Sequence, residues 1–122
     1  MFGLILFIIL VLVMWVYLPR LGWVSVSDAR EQLQVGALLL DVRSRAEYNS
    51  QPVKGAMNIP VDELIAAIQK EELSKDRTIL LFCASGMRSG AARRTLRSYG
   101  YTQVENLGTV ARAAEAVGGA GS

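Results

Sequence analysis

The sequence predicts an α/β domain built on a mostly parallel sheet, with an apolar helix in front of it. Short apolar runs of the kind found in strands buried on both faces alternate with segments of helical spacing. The first 18 residues carry no charged side chain, so all thirteen basic and eleven acidic residues lie in the remainder. A chain of 122 residues has the length of one domain. We therefore predict an anchor at 1–19, a domain at 20–117 and a flexible tail at 118–122.

Composition excludes several classes of function. The net charge is +2, and the basic residues do not cluster on an aromatic-rich face, so we predict no nucleic-acid partner. The chain has no histidine, which excludes Ser-His and Cys-His catalysis and leaves no credible zinc site. We predict neither a metal nor a cofactor. Its single cysteine, Cys83, excludes an internal disulfide.

Residues 2–18 are uncharged and almost wholly apolar. As a helix they would span about 26 Å, the short end of the range for a transmembrane segment. There is no basic n-region and no Ala-x-Ala site, which favours an uncleaved helix in the lipid bilayer over a cleaved signal peptide. Arg20 and Arg30 follow the helix. The positive-inside rule then predicts a single-pass protein of the cell (inner) membrane with a cytoplasmic domain, and a periplasmic domain is the alternative.

The first half of the domain begins with a short strand at residues 23–26. Ser27 is a candidate N-cap for a helix that runs through Gln34. Residues 37–42 form a continuous apolar run, typical of a buried parallel strand. The pattern at residues 44–47, Ser-Arg-Ala-Glu, is a capping box and predicts the start of a short helix.

The second half continues the alternation of strands and helices. We predict a short strand at 56–59, a helix from an Asp62 cap through Lys70, a central strand at 78–82, a helix from about Ser89 that stops at Gly100, a last strand at 102–106 and a short helix at 110–117.

A loop from Cys83 to Arg88 joins the central strand to the following helix, and it carries the candidate chemistry. Backbone N–H groups in a tight, glycine-containing loop converge on one point, and the helix N-terminus adds partial positive charge there. That field and Arg88 would stabilise a Cys83 thiolate. The alternative is that Cys83 is a small buried hydrophobe at the end of a core strand.

The loop has the pattern Cys-x-x-Gly-x-Arg-Ser, which resembles the active-site loop of rhodanese-family sulfurtransferases. Three further blocks agree with that family: residues 38–43 followed by Glu47 and Tyr48, residues 55–60, and residues 100–107. The resemblance covers about residues 23–110 and is closest to the small single-domain bacterial rhodaneses. It implies a three-layer domain with a central parallel five-stranded sheet and with Cys83 at the C-terminal edge of the central strand.

The resemblance also implies an activity, that of a thiosulfate sulfurtransferase. Cys83 would attack a small anionic sulfur donor such as thiosulfate and become a persulfide, and an external acceptor (cyanide, a thiol or a thiol protein) would then remove the sulfur. The implied substrate-binding residues are those of the loop: Ala84, Ser85, Gly86, Met87, Arg88 and Ser89. Thiolate attack needs a lowered pKa rather than a general base, which agrees with the absence of histidine.

Three charged residues near the end of the strand at 37–42 are predicted to support the site structurally. They are Asp41, Arg43 and Glu47, held as a satisfied Asp41 or as an Arg43–Glu47 ion pair. The chain departs from the family pattern at Pro52, where rhodaneses usually carry histidine, and at 108–112, which lacks the usual second glycine and tryptophan.

Two other functions remain open at this point. Cell-cycle phosphatases and arsenate reductases share a Cys–Arg anion loop, but the phosphatase loop resembles Cys-x5-Arg, one residue longer than the spacing from Cys83 to Arg88. The other alternative is a non-catalytic, membrane-tethered rhodanese-like binding module.

Overall fold

The computed structural model describes residues 1–18 and 22–118. In chain order these residues form α1 (Phe2–Tyr17), α2 (Val26–Gln34), β1 (Leu38–Asp41), α3 (Arg45–Ser50), β2 (Met57–Asn58), a 3-10 turn (Val61–Glu63), α4 (Leu64–Lys70), β3 (Ile79–Cys83), α5 (Met87–Ser98), β4 (Val104–Thr109) and α6 (Val110–Gly118). Of the predicted tail, residues 119–122 lie outside the described ranges.

The strands form one parallel sheet in the order β2-β1-β3-β4, so the predicted α/β class with a parallel sheet is confirmed. All residues of β3 are buried, and successive side chains point to opposite faces. On one face, Leu81 and Cys83 pack in a cluster with side chains of α4 and α5. On the other, Leu80 and Phe82 pack with side chains of α2 and α6. Helices on both faces give the three layers.

The prediction of a fifth strand is wrong: within residues 1–18 and 22–118 the sheet has four strands. The segment predicted as the first strand does run beside β4, and the Val24 N–H donates to the Asn106 carbonyl at 3.0 Å. The Val24 carbonyl, however, accepts from Arg112 Nη2 at 2.6 Å. A side chain thus takes an acceptor that a further ladder would need, and the chain enters α2 at Val26.

The predicted transmembrane helix is not supported either. Helix α1 has 16 residues, and none of the described helices combines the length and apolar character that a membrane crossing requires. Sixteen helical residues extend about 24 Å, less than the ~30 Å hydrocarbon core of a typical bilayer. The cellular location of the domain stays a prediction.

Three helices begin at residues other than those predicted. The helix predicted from an Asp62 cap is preceded by the 3-10 turn, so α4 begins at Leu64 and its preceding residue is Glu63 rather than Asp62. Helix α2 is capped by Ser25 rather than Ser27, because the Ser25 hydroxyl accepts from the Asp28 N–H at 3.1 Å. Helix α5 begins at Met87, ahead of Ser89, with Gly86 as the preceding residue. The predicted capping box is confirmed: Ser44 Oγ accepts from the Glu47 N–H, and Glu47 Oε1 accepts from the Ser44 N–H.

Strand β4 contains an irregularity opposite the end of β3. Leu81 is paired with Asn106 but Phe82 with Gly108, so Leu107 is an extra residue. Pairing then resumes between Cys83 and Thr109. Asn106 and Leu107 point to opposite faces as neighbours in a strand do, with Leu107 packed in the cluster beneath α2 and α6. The extra residue instead shifts Gly108 and Thr109 by one place relative to β3.

Candidate active site

Cys83 is the last residue of β3 and lies at the carboxyl edge of the parallel sheet, where open α/β sheets place their sites. Its side chain is fully buried. The Gly86 N–H donates to Cys83 Sγ at 3.0 Å, and Ser89 Oγ lies 3.5 Å from the same sulfur. The chain turns back on the sulfur because Gly86 adopts a left-handed conformation (φ 89°) immediately before α5.

The surroundings of this sulfur favour its charged form. Burial raises the pKa of the Cys83 thiol, but hydrogen bonds from the Ser89 side chain and from the N–H groups of Ser89, Gly86 and Ser85 outweigh it. The pKa of Cys83 is therefore lowered below the ordinary thiol value. Cys83 is thus both a buried side chain of the core and the acceptor of several converging hydrogen-bond donors.

The structure places the other loop residues in distinct positions. Ala84 and Ser85 are exposed at the tip, and Met87 is exposed on the first turn of α5. The Met87 N–H faces Ser85 Oγ at 3.4 Å rather than the sulfur. The inward-facing donors therefore come from fewer residues than the whole predicted stretch from Ala84 to Ser89.

Arg88 is held by Glu47 from the other side of the loop. Its Nη1 and Nη2 atoms donate to the two Glu47 carboxylate oxygens at 2.6 and 2.9 Å. This pair, then the hydrogen bond from the Ser44 backbone, lowers the pKa of Glu47 to about 2. The hydrogen bond that Arg88 donates to Glu47 raises the pKa of Arg88, and the charge of Cys83 adds to the effect. Arg88 is thus a cation beside the sulfur whose orientation a carboxylate fixes.

The expected Arg43–Glu47 ion pair does not form. Arg43 instead pairs with Asp41, with Nη2 at 2.6 Å from Oδ2 and Nε at 3.0 Å from both carboxylate oxygens. The remaining contacts of the Arg43 guanidinium are to the backbone carbonyls of Glu47 and Gln51. Asp41 and Arg43 are both buried. They fix the chain that leads to Glu47, which fits a supporting role.

Two residues of the site are not singled out by the sequence patterns. Asn106 is buried behind the loop, where its Oδ1 accepts from Ser89 Oγ at 2.7 Å and from the Gly108 N–H at 2.9 Å. Its Nδ2 donates to the Gly86 carbonyl at 3.0 Å. The available signal is its place in the block at residues 100–107 that agrees with the rhodanese family.

The second is Trp23, whose indole lies against the loop. A Cβ atom added to Gly86 would lie 2.3 Å from Trp23 Cζ2, and one added to Gly108 would lie 2.5 Å from Trp23 Cε3. The Arg112 guanidinium lies 5.5 Å from the indole centroid on the same side of the domain. Gly86 and Gly108 therefore leave the space that the indole fills.

A cavity of about 200 Å³ lies beside the loop. It is lined by Trp23, Ser85, Gly86, Met87, Gly90, Arg94 and Asn106. In the described parts of the chain, no cluster of three or more Cys, Asp or Glu side chains could hold a metal ion. What the arrangement can do chemically is hold one sulfur as an anion, at the end of a rigid strand, next to a fixed cation.

Comparison with known proteins identifies relatives of this arrangement. The rhodanese-like domain family matches residues 25–109. The thiosulfate sulfurtransferase PspE of Escherichia coli is 39% identical over 57% of this chain and 66% of its own length. The thiosulfate:glutathione sulfurtransferase of Homo sapiens is 38% identical over 68% of this chain and 84% of its own length.

Solved structures agree with the sequence relatives. The human single-domain sulfurtransferase TSTD1 superposes with a TM-score of 0.62 at 36% identity, over 70% of this chain and 87% of that one. Sulfurtransferases are thus relatives in both sequence and structure, and the single-domain type is supported. The chain belongs to the rhodanese-like domain family.

Proposed function

We propose that this protein is a thiosulfate-type sulfurtransferase that carries sulfane sulfur as a persulfide on Cys83. The observation that carries the proposal is the 3.0 Å hydrogen bond from the Gly86 N–H to Cys83 Sγ. A thiol that keeps such a donor at the end of a buried strand is prepared to react as a thiolate. Relatives named thiosulfate sulfurtransferase and thiosulfate:glutathione sulfurtransferase support the choice of reaction.

The first half-reaction is attack of the Cys83 thiolate on the outer sulfur of thiosulfate. The new bond joins Cys83 Sγ to that sulfur, the S–S bond of thiosulfate breaks, and its electron pair leaves with sulfite. The charge on each side is the same, because a thiolate and a dianion give a persulfide anion and a dianion. Arg88 and the N–H groups of the loop would face the incoming anion.

The second half-reaction returns the sulfur to an external thiolate. Attack on the outer persulfide sulfur forms the acceptor persulfide and releases the Cys83 thiolate, so no oxidant or reductant is consumed. Cys83 is the only cysteine of the chain, and an internal disulfide therefore cannot take part. The acceptor must come from outside, as a small thiol or as a thiol protein.

Intact mass spectrometry tests the first half-reaction directly. After incubation with thiosulfate and removal of excess reagent, the protein should carry one added sulfur, about 32 Da. A thiol such as glutathione should return it to the starting mass, and Cys83→Ala should stay unmodified. A wild-type chain that gains no sulfur while Cys83 remains free to alkylate would refute the proposal.

The complete burial of Cys83 favours a second candidate, a binding module without catalysis. If that is the function, Cys83→Ala should support the same cellular function as the wild type, and thiosulfate should leave both proteins unmodified. The phosphatase alternative is disfavoured by the spacing from Cys83 to Arg88, which is one residue shorter than in the phosphatase loop.

A further inference from the structure

Asn106 lies directly behind the loop, and its side chain bonds to residues around Cys83 rather than to the sulfur itself. It is 5% exposed, and the described residues supply partners for both of its polar atoms. Two of its three partners, Ser89 and Gly86, also contact the sulfur, and the third is the Gly108 N–H. Ser89 is 3.5 Å from Cys83 Sγ through its hydroxyl, and Gly86 is 3.0 Å from it through its N–H.

We propose that Asn106 is a positioning residue that orients both donors facing Cys83 Sγ, the Gly86 N–H and the Ser89 hydroxyl. The inference deepens the proposed function, because it concerns the same thiolate, and it can be tested without any sulfur transfer. Asn106 acts through two contacts that have opposite consequences for the sulfur.

The first contact holds the Gly86 peptide. Asn106 Nδ2 donates to the Gly86 carbonyl at 3.0 Å. A peptide group is planar, and the N–H and the carbonyl of one residue belong to the two peptide planes that meet at its Cα atom. The Gly86 carbonyl also accepts from the Gly90 N–H at 3.0 Å, so Asn106 supplies a second donor that holds it. Fixing the carbonyl of a glycine at positive φ limits the directions in which its N–H can point. Loss of this contact should weaken the donor to the sulfur.

The second contact competes for a proton. A serine hydroxyl has one hydrogen to donate. Ser89 Oγ lies 2.7 Å from Asn106 Oδ1 and 3.5 Å from Cys83 Sγ, so the nearer acceptor, Asn106, shares that hydrogen with the sulfur. Loss of this contact should release the hydroxyl to the thiolate. The arrangement therefore holds Ser89 back from full donation while it keeps Gly86 in place.

Four proteins separate the two effects: the wild type, Ser89→Ala, Asn106→Ala and the double variant. The measurement is the rate of iodoacetamide alkylation of Cys83 as a function of pH, which reports the midpoint of thiolate formation. All four retain the charged groups that face the sulfur, Arg88 and behind it Glu47, so these do not account for differences between variants.

The expected pattern is non-additive. Ser89→Ala should move the midpoint to higher pH, and by more in the Asn106→Ala background, where the hydroxyl is no longer shared. In the Ser89→Ala background, Asn106→Ala should still lower the alkylation rate, measured at a pH below the midpoint, by about tenfold, the lower end of the range for one hydrogen bond to a charged group. Equal effects of Ser89→Ala in both backgrounds, or no effect of Asn106→Ala without Ser89, would overturn the proposal.

Asn58→Ala is the matched control. Asn58 Nδ2 also donates to backbone carbonyls at the same edge of the sheet, those of Asp41 and Arg43, at 3.0 and 2.9 Å. It does not contact the Cys83 loop, so its loss should lower thermal stability and leave the alkylation midpoint unchanged. A midpoint that moves as far in Asn58→Ala as in the Asn106 variants would show that destabilising this edge of the sheet is enough to shift it, and would overturn the proposal.

A titration of the unaltered protein covers the case in which the Asn106 variants fail to fold. In uniformly ¹⁵N-labelled wild type, the side-chain amide of Asn106 and the N–H of Gly86 should both shift with the alkylation midpoint of Cys83. An Asn106 amide signal that stays constant through that midpoint would overturn the proposal. A protein that shows this coupling but gains no sulfur from thiosulfate would retain the Asn106 assignment and lose the proposed function.

Discussion

The ends of β1 and β3 lie side by side at the same edge of the sheet, yet they are built in opposite ways. At the end of β1, the buried carboxylate of Asp41 is matched by the guanidinium of Arg43 and by the Arg43 N–H. At the end of β3, uncharged donors converge on the sulfur of Cys83. At the end of β1 the negative charge of Asp41 is neutralised by Arg43. At the end of β3 the donors are arranged to stabilise a negative charge on the sulfur. The chemistry is therefore expected at the less charged of the two.

The largest effect is expected from Asp41→Asn, which leaves Arg43 buried without its anion. Breaking a buried ion pair costs about 3–5 kcal/mol of unfolding free energy. Glu63→Gln is the control, because it removes the exposed Arg45–Glu63 pair and should cost less than about 1 kcal/mol. Chemical denaturation measures both. The comparison of the two strand ends would fail if Asp41→Asn were as mild as Glu63→Gln.

Gly86→Ala should have the next largest effect, and it should damage the other region. The new methyl group would meet the Trp23 indole at 2.3 Å while the backbone stays at a positive φ. We expect a loss of about 2–3 kcal/mol from overpacking and strain. Alkylation of Cys83 should slow as well, because the Gly86 N–H is displaced from the sulfur.

Gly55→Ala is the matched control for that variant. Gly55 has φ +80° like Gly86, but a Cβ atom there would meet nothing within 4 Å. It should cost about 1 kcal/mol for the backbone conformation alone and leave Cys83 reactivity unchanged. A combined Trp23→Ala and Gly86→Ala chain should recover part of the lost reactivity. No recovery would indicate that the indole is not the obstacle.

Arg88→Gln should have a smaller effect on stability and a clear one on chemistry. The Arg88 and Glu47 side chains are both partly exposed, so the loss of the pair should cost less than about 1 kcal/mol. The pKa of Cys83 should rise because a neighbouring cation is removed, and alkylation at neutral pH should slow. The measurement is the alkylation midpoint. An unchanged midpoint would show that Arg88, like Arg43 at the end of β1, serves the structure and does not stabilise the Cys83 thiolate.

The smallest effect is expected in the pH dependence of stability. The pKa of Glu47 is lowered to about 2, so its pair with Arg88 stabilises the fold above the ordinary carboxyl pKa. That contribution should be lost as the pH falls from about 4.5 towards 2. Glu47→Gln should flatten the unfolding free energy in this window relative to the wild type. An equal slope in both proteins would assign the acid sensitivity to other carboxylates.

The order of strands and helices from residue 37 onward could be predicted from the sequence because it depends on local periodicity. The same holds for Cys83 at a strand end and for the Ser44 capping box. The pairing of charged side chains could not be predicted from the sequence, because it depends on which strands become neighbours. Arg88 meets Glu47 across the loop, although Arg43 is the nearer arginine in sequence. The role of Asn106 has the same origin, since it acts on residues about twenty positions away.

The two corrections of the fold have physical causes as well. Residues 23–26 have the composition of a strand, but Arg112 takes the Val24 carbonyl and a single backbone hydrogen bond to Asn106 remains. Residues 2–18 have the composition of a membrane helix. Composition does not determine how long the helix is, and α1 ends at Tyr17 after 16 residues.

The irregularity at Leu107 has a consequence for homologous chains that differ in length. Because β4 carries one residue more than β3 across this stretch, Thr109 rather than Gly108 pairs with Cys83, and the Thr109 hydroxyl faces the Arg112 N–H of α6. Deleting one residue here would restore a regular ladder, but it would shift either the amide or the helix start by one place. An alignment gap in this strand is therefore expected to mark a differently supported sulfur site.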